Sequence, residues 1–189
     1  MPLIKHGTLV EDIWHETDDF ADVQTLAPLG PVIVTLNVWR QHRAAILAYD
    51  GRLGLRLAPG QTPDLVAADL HHFELVELEF AKFTDGRAYS HARLLRERHG
   101  FKGELRAVGE VLRDQLSFML RCGFDAFSLE TDQQAEALLA AVDEFAHWYQ
   151  PAPGTSGRLD HRSTIPALRQ GAGNSTNRDT AGRAATWAY

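Results

Sequence analysis

At 189 residues, with 44% hydrophobic and 23% charged residues, the chain fits a single globular domain around one core. The whole chain carries −6 and residues 151–189, with five Arg against two Asp, carry +3, so residues 1–150 carry −9; that balance disfavours a nucleic-acid binder, which needs a basic face to neutralise phosphates. The single cysteine, Cys122, rules out an intrachain disulfide and leaves no set of thiolates to hold a cluster or structural zinc. No window approaches the roughly 20 apolar residues of a membrane span, so the expectation is a soluble protein of the reducing cytoplasm.

The opening alternates apolar and polar residues over Leu3 to Lys5 and Leu9 to Ile13, around His6-Gly7. This is the pattern of a short N-terminal hairpin, expected to cover a sheet edge. An acidic lead-in from Glu16 to Asp22 follows, and the turn cluster Pro28-Leu29-Gly30-Pro31 opens the first strong strand, Val32 to Leu36. Asn37 is placed to cap the next helix. Strands and helices then alternate: helix Val38 to Tyr49, strand Leu53 to Leu57, short helix Pro63 to Leu70, strand Leu75 to Phe80, helix Ala88 to His99. The pattern continues with strand Glu104 to Val108, helix Val111 to Arg121, strand Phe124 to Leu129 and helix Gln133 to Tyr149.

Parallel neighbours need crossovers, and a helix is the usual one, so the expected fold class is α/β with about five mostly parallel strands alternating with helices. Five units fall short of a closed eight-stranded barrel. That leaves an open sheet with helices on both faces, or a partial barrel with helices on one. Glu74, Glu77 and Glu79 around the strand Leu75 to Phe80 point to a polar face or an edge position. Residues 151–189, rich in Gly, Ser, Thr, Pro, Ala and Arg, are expected to be a disordered tail behind a single domain over residues 1–150.

In parallel α/β folds ligands gather at the C-terminal ends of the strands, where loops and helix starts present unpaired backbone N–H groups. After the third strand, Lys82-Phe83-Thr84-Asp85-Gly86-Arg87 offers a tight turn, two cations for an anion, and Thr84 or Asp85 as a helix cap. After the fourth, Gly109-Glu110 leads to Arg113 and Asp114. The anion-binding candidates are therefore Lys82, Thr84, Arg87, Arg106, Gly109 and Arg113, with Asp85 the catalytic candidate. The competing reading is a capped turn with solvated charges. Arg106 lies on a strand and either snorkels to an edge or enters a polar cleft near Glu77 or Glu79, with a purely structural Arg–Glu pair as the competing reading.

Helical spacing puts Val111, Leu112, Gln115, Phe118, Met119 and Cys122 on one core face. Cys122 then falls at a helix C-terminus, where the dipole disfavours a thiolate. Trp14 and Trp39 read as core. The nine histidines are scattered, and the rings of His71 and His72 diverge on either a helix or a strand. GxGxxG, GxxxxGK[ST] and GxSxG are absent, so no cofactor and no metal is evident.

The run FTDGRAYSHARLLRERHGFKGELRAVGEVLRDQLSFMLRCGFDAF, together with MPLIKHGTLVEDIWH, PVIVTLNVW and GLRLAP, resembles the bacterial family called domain of unknown function 934, over Met1 to about Gln150. Members carry the label of oxidoreductases in sulfite reduction, a label resting on gene neighbourhood with sulfite reductase. The resemblance implies a cytoplasmic role in sulfur assimilation, with the reductase, a sulfur oxyanion or an activated sulfate as partner, and it supplies no catalytic residues. Redox chemistry on sulfite needs multi-electron carriers, and the chain shows no fingerprint for one. The expectation is thus an accessory protein of assimilatory sulfite reduction. The alternative is a small enzyme or sensor that binds an anionic sulfur metabolite through Lys82, Arg87 and Arg113, with Asp85 moving a proton.

Overall fold

The computed structural model of the protein describes residues 2–26, 30–82 and 84–144. Eight strands form one sheet: β1 (Leu3–Lys5), β2 (Thr8–Val10), β3 (His15–Thr17), β4 (Val32–Thr35), β5 (Leu53–Leu57), β6 (Leu75–Phe80), β7 (Glu104–Gly109) and β8 (Ala126–Ser128). Their order is β2-β1-β8-β7-β6-β5-β4-β3. Strands β3 to β8 pair in parallel, and β1 is antiparallel to both β2 and β8. The sheet curls but stays open between β2 and β3, as a half-barrel. Helices α1 (Phe20–Leu26), α2 (Leu36–Leu47), α3 (Arg87–Arg93), α4 (Leu116–Cys122) and α5 (Asp132–Glu144) lie between or after the strands. None of the described helices is long and apolar enough to cross a membrane.

Strand alternation sorts the side chains onto two faces. On one face Val34, Leu55, Leu78, Ala107 and Phe127 form a core cluster with residues from every described helix: Val23, Trp39, Ala92, Met119 and Leu138. Each fully buried aliphatic side chain there contributes about 2 kcal/mol of transfer free energy. The other face carries no described helix and holds Ile33, Gly54, Arg56, Glu77, Glu79 and Arg106. This is the partial-barrel alternative, with helices on one side.

The N-terminal hairpin forms as expected. Lys5 pairs with Thr8 across His6 (φ 50°) and Gly7 (φ 76°), the two left-handed residues of a tight hairpin turn, and β1 covers the edge of β8. Several expectations are corrected. Of the two readings of the β6 glutamates the polar face holds and the edge position does not: β6 pairs with β5 and β7, and Glu77 answers Arg56 and Arg106 on those neighbours. The acidic lead-in folds into β3 and α1, with Asp19 Oδ1 accepting from Ala21 N (2.9 Å) at the helix start. Asn37 is not the cap. Thr35 is, its Oγ1 accepting from Val38 N (3.5 Å), so α2 begins at Leu36.

The helix expected over Val111 to Arg121 is broken by a 3₁₀ turn at Arg113–Gln115. The changed register turns Leu112 (38% exposed) and Phe118 (53%) outward and puts Leu116 and Leu120 in the core. Two 3₁₀ turns, Pro63–Val66 and Leu70–His72, replace the short helix, and the second brings the His71 and His72 rings to 3.8 Å instead of parting them. Trp39 is core, whereas Trp14 is half-buried. The expectations for the end of the last helix and for 151–189 lie outside the described residues.

A π-helical turn, Leu94–Arg98, follows α3 and directs Arg96 beneath the starts of β7 and β8. Its guanidinium donates to the carbonyls of Phe101 (2.9 Å), Gly103 (2.8 Å) and Gly123 (3.0 Å) and to Asp125 Oδ2 (2.8 Å). Asp125 Oδ1 also accepts from Leu105 N (2.8 Å). One side chain thus ties three loop segments to β7. Arg96→Met leaves three carbonyls and a largely buried carboxylate without this donor. We expect a loss of about 3 kcal/mol in urea denaturation, with a smaller loss for Arg96→Lys.

Candidate functional site

The parallel register sets Arg56 of β5 beside Glu77 of β6, and Glu77 beside Arg106 of β7, in one row across the helix-free face. Arg106 is 1% exposed. Its Nη1 donates to Asp12 Oδ2 (2.8 Å) and Glu77 Oε1 (3.3 Å), and its Nε to Glu104 Oε1 (2.9 Å). Glu104 in turn accepts from Lys5 Nζ (2.6 Å). Burial works to lower the Arg106 pKa, but the carboxylates of Glu104, Asp12 and Glu77 outweigh it and hold the guanidinium raised.

Glu77 is fully buried, at 0% exposure. Its carboxyl is pushed up to about 7, first by burial and then by the nearby charge of Glu16, with Arg106 and Arg56 offsetting part of the rise. One oxygen, Oε2, has no hydrogen-bond partner among the described residues, and neither has Arg56 Nε, 3.9 Å away. The Arg56 guanidinium is engaged on its other side by Glu16 of β3.

Above this row lies a cleft of about 500 Å³, lined by Glu16, Thr17, Asp18, Ile33, Thr35, Arg56 and Glu79. These residues sit at the C-terminal ends of β3 to β6, where parallel folds place their ligands, and the volume is that of a small-molecule site. The segment between β2 and β3 straps the face beside the cleft. Asp12 anchors it to Arg106, and Trp14 packs where Gly54 leaves room: a Cβ on Gly54 would come within 3.2 Å of the Trp14 ring and 2.8 Å of Ile33.

Of the residues singled out from sequence, Arg106 enters the polar network, with Glu77 as partner. The others lie at or just beyond the C-terminal ends of β6 and β7, outside the cleft lining. Asp85 and Arg87 are spent on each other: Asp85 Oδ1 accepts from Arg87 N (3.1 Å) and Nε (2.9 Å), and Oδ2 from Nη2 (2.6 Å). Arg87 holds the Asp85 carboxyl down to about 2, so it is ionised at neutral pH. Lys82, Thr84 and Arg113 are exposed. Gly109 ends β7 at φ 89°, where a Cβ would meet the Phe80 carbonyl oxygen at 2.5 Å, so glycine there answers a backbone need. Cys122 is buried, and burial pushes its thiol up to about 11, which removes it as a nucleophile at neutral pH.

Sequence reasoning misses Asp12, Glu16, Asp18, Thr35 and Arg56. The signal that points to them is parity: Arg56, Glu77 and Arg106 occupy equivalent heights of three consecutive predicted strands, with alternating charge. A family model described as "Bacterial protein of unknown function (DUF934)" matches residues 54–157. No curated protein matches the chain.

The Glu77 carboxyl gives a stability signature. Its folded pKa, about 7, lies above its ordinary value of 4.5, so the folded state binds the proton more tightly. That contribution is fully present below pH 4.5 and is lost as pH rises through 7. Compared by chemical denaturation at pH 5 and pH 8, Glu77→Gln is expected to hold its stability while the native chain loses on the order of 3 kcal/mol more.

Proposed function

Because the chain belongs to the bacterial family of unknown function DUF934, which offers no reaction to carry over, we propose from its surface that it is an accessory protein of assimilatory sulfite reduction. It binds beside the sulfite reductase and carries no redox centre of its own. The observation that carries this reading is the open mouth of the half-barrel. There an unclosed charged cleft, loops bearing both signs of charge and two exposed apolar side chains stand around the C-terminal ends of the parallel strands. Leu112 is 38% and Phe118 53% exposed, the second tilted against Tyr89 at 4.8 Å, and the exposed Glu110, Arg113 and Asp114 flank Leu112 in the chain. Apolar side chains rimmed by charge are the composition of a protein-binding patch. The sulfur context comes from the family label, and the buried, protonated Cys122 favours binding over thiol chemistry.

A second reading, a small enzyme or sensor for an anionic sulfur metabolite, draws on Lys82, Arg87 and Arg113 at the same strand ends. Sulfite, sulfate or adenosine phosphosulfate would then raise the melting temperature, and Arg87→Ala and Arg113→Ala would abolish the rise. Under the accessory reading, calorimetry of the full chain against the sulfite reductase subunit gives a micromolar-class complex. Leu112→Ser with Phe118→Ser weakens it about tenfold or more without lowering the melting temperature. No heat and no co-elution from a sizing column would remove the accessory reading.

A further inference from the structure

We propose that the strap of residues 11–14 is a pH-sensitive latch over the interior of the half-barrel, fastened while Glu77 carries a proton and loosened when Glu77 ionises. The inference concerns how this face opens and stands apart from the sulfite reading.

The strap joins the two open edges of the sheet. β2 ends at Val10 and β3 begins at His15, so at most about 18 Å of extended chain crosses from one edge to the other. Residues 11–14 belong to no strand. Two side chains hold the strap from within. Asp12 Oδ2 accepts from Arg106 Nη1 (2.8 Å), and Trp14 lies over Gly54, near Ile33 and Leu75, with the Arg52 guanidinium 5.2 Å from its ring. Asp12 Oδ1 also accepts from Trp14 N (3.1 Å), which makes one unit of the two anchors. Ile33, Leu75, Glu77 and Arg106 are all buried, whereas Ile13, between the anchors, is 50% exposed.

The charges decide which anchor yields. Glu77 faces Arg106 from β7, Arg56 from β5, Glu16 from β3 and Asp12 from the strap, and Arg106 is shared with Glu104, which holds Lys5 of β1. With Glu77 protonated, Asp12, Glu16 and Glu104 balance Arg106, Arg56 and Lys5. Ionisation adds a fourth carboxylate. Asp12 Oδ2 and Glu77 Oε1 lie on the same nitrogen, Arg106 Nη1, so the two like charges are no more than about 6 Å apart and repel. Glu16, Glu77 and Glu104 are fixed on strands. Asp12 stands on the strap with its side chain 25% exposed, so it is the carboxylate that can leave for water. Arg106 then keeps Glu77 and Glu104, and the strap loses its polar anchor.

Burial first, then Glu16 and Asp12, push the Glu77 carboxyl up to about 7, which puts the change in the neutral range. The sign follows from linkage. Opening removes the repulsion from Asp12 and favours ionised Glu77, so the strap is fastened below pH 7 and loosens as pH rises through it.

The test is native-state hydrogen exchange of the full chain at pH 6 and pH 8, with and without about 1 M urea, corrected for the intrinsic exchange rate. Protection of the Trp14 and His15 amides is expected to fall about tenfold between the two pH values, through an opening that urea does not accelerate, the mark of a local event. Glu77→Gln keeps the protection at pH 8. Asp12→Asn, at the surface end of the network, removes the repulsion and flattens the pH response, so the outcome does not depend on Glu77→Gln folding. The proposal falls if the two amides are unprotected at pH 6, if their protection does not change with pH, or if it falls only through urea-sensitive global unfolding. It falls as well if a folded variant loses as much protection as the native chain.

Discussion

A guanidinium buried to 1% exposure organises this molecule: Arg106, at the centre of the face that no described helix covers. Removing a charge from water costs far more than one hydrogen bond returns, so Arg106 must collect carboxylates wherever the chain can supply them. It collects three, from three separate segments: Glu77 on the neighbouring strand, Glu104 on its own strand and Asp12 on the strap between β2 and β3. The first fixes the register of β6 against β7. The last draws the N-terminal strap across the sheet, and with it Trp14 and the start of β3. A well-packed apolar side chain at this position could match the stability, but it would give the strap nothing to hold.

The row also leaves charge over. Around Arg106, Arg56 and Lys5 stand Asp12, Glu16, Glu77 and Glu104, four carboxyls to three cations. The excess settles on the group for which ionisation is dearest, the fully buried Glu77, whose carboxyl moves up to about 7. A closed barrel of parallel strands fills its interior with layers of apolar side chains and has no such imbalance. Here the sheet stops short, the interior keeps its charges, and the cleft opens where β3 forms the last edge. The titratable glutamate and the open edge thus share one origin.

How much of this the sequence discloses depends on whether one face of an element is uniform. β5 and β6 are legible to the residue, because Leu53, Leu55 and Leu57, then Val76, Leu78 and Phe80, alternate toward a single core. β3 is not legible: three residues long, it carries an exposed Glu16 that lines the cleft and looks like loop acid in a linear reading. The same limit hides the site. Arg56, Glu77 and Arg106 make sense only after the strands are laid side by side in register, and Asp12 is 94 residues from the arginine it neutralises. The helix after β7 is misplaced for a different reason. A 3.6-residue period runs through Arg113–Gln115 in the sequence, but the backbone makes a 3₁₀ turn there, so periodicity assigns Leu112 and Phe118 to a core they do not reach.

Parallel topology places both charged regions on one edge of the sheet, since every loop that leaves a parallel strand does so at its C-terminal end. The acidic cleft lies over β3 to β6, while the loops beyond β6 and β7 alternate in sign, with Lys82 and the Asp85–Arg87 pair on the first and Glu110, Arg113 and Asp114 on the second. Buried area alone sets neither orientation nor encounter rate; complementary charge sets both. A partner that brings basic side chains to the cleft and a surface of mixed charge to the loops is favoured in one orientation over its reverse. For a protein proposed to act by binding, that polarity supplies selectivity before any apolar contact at Leu112 or Phe118 is made.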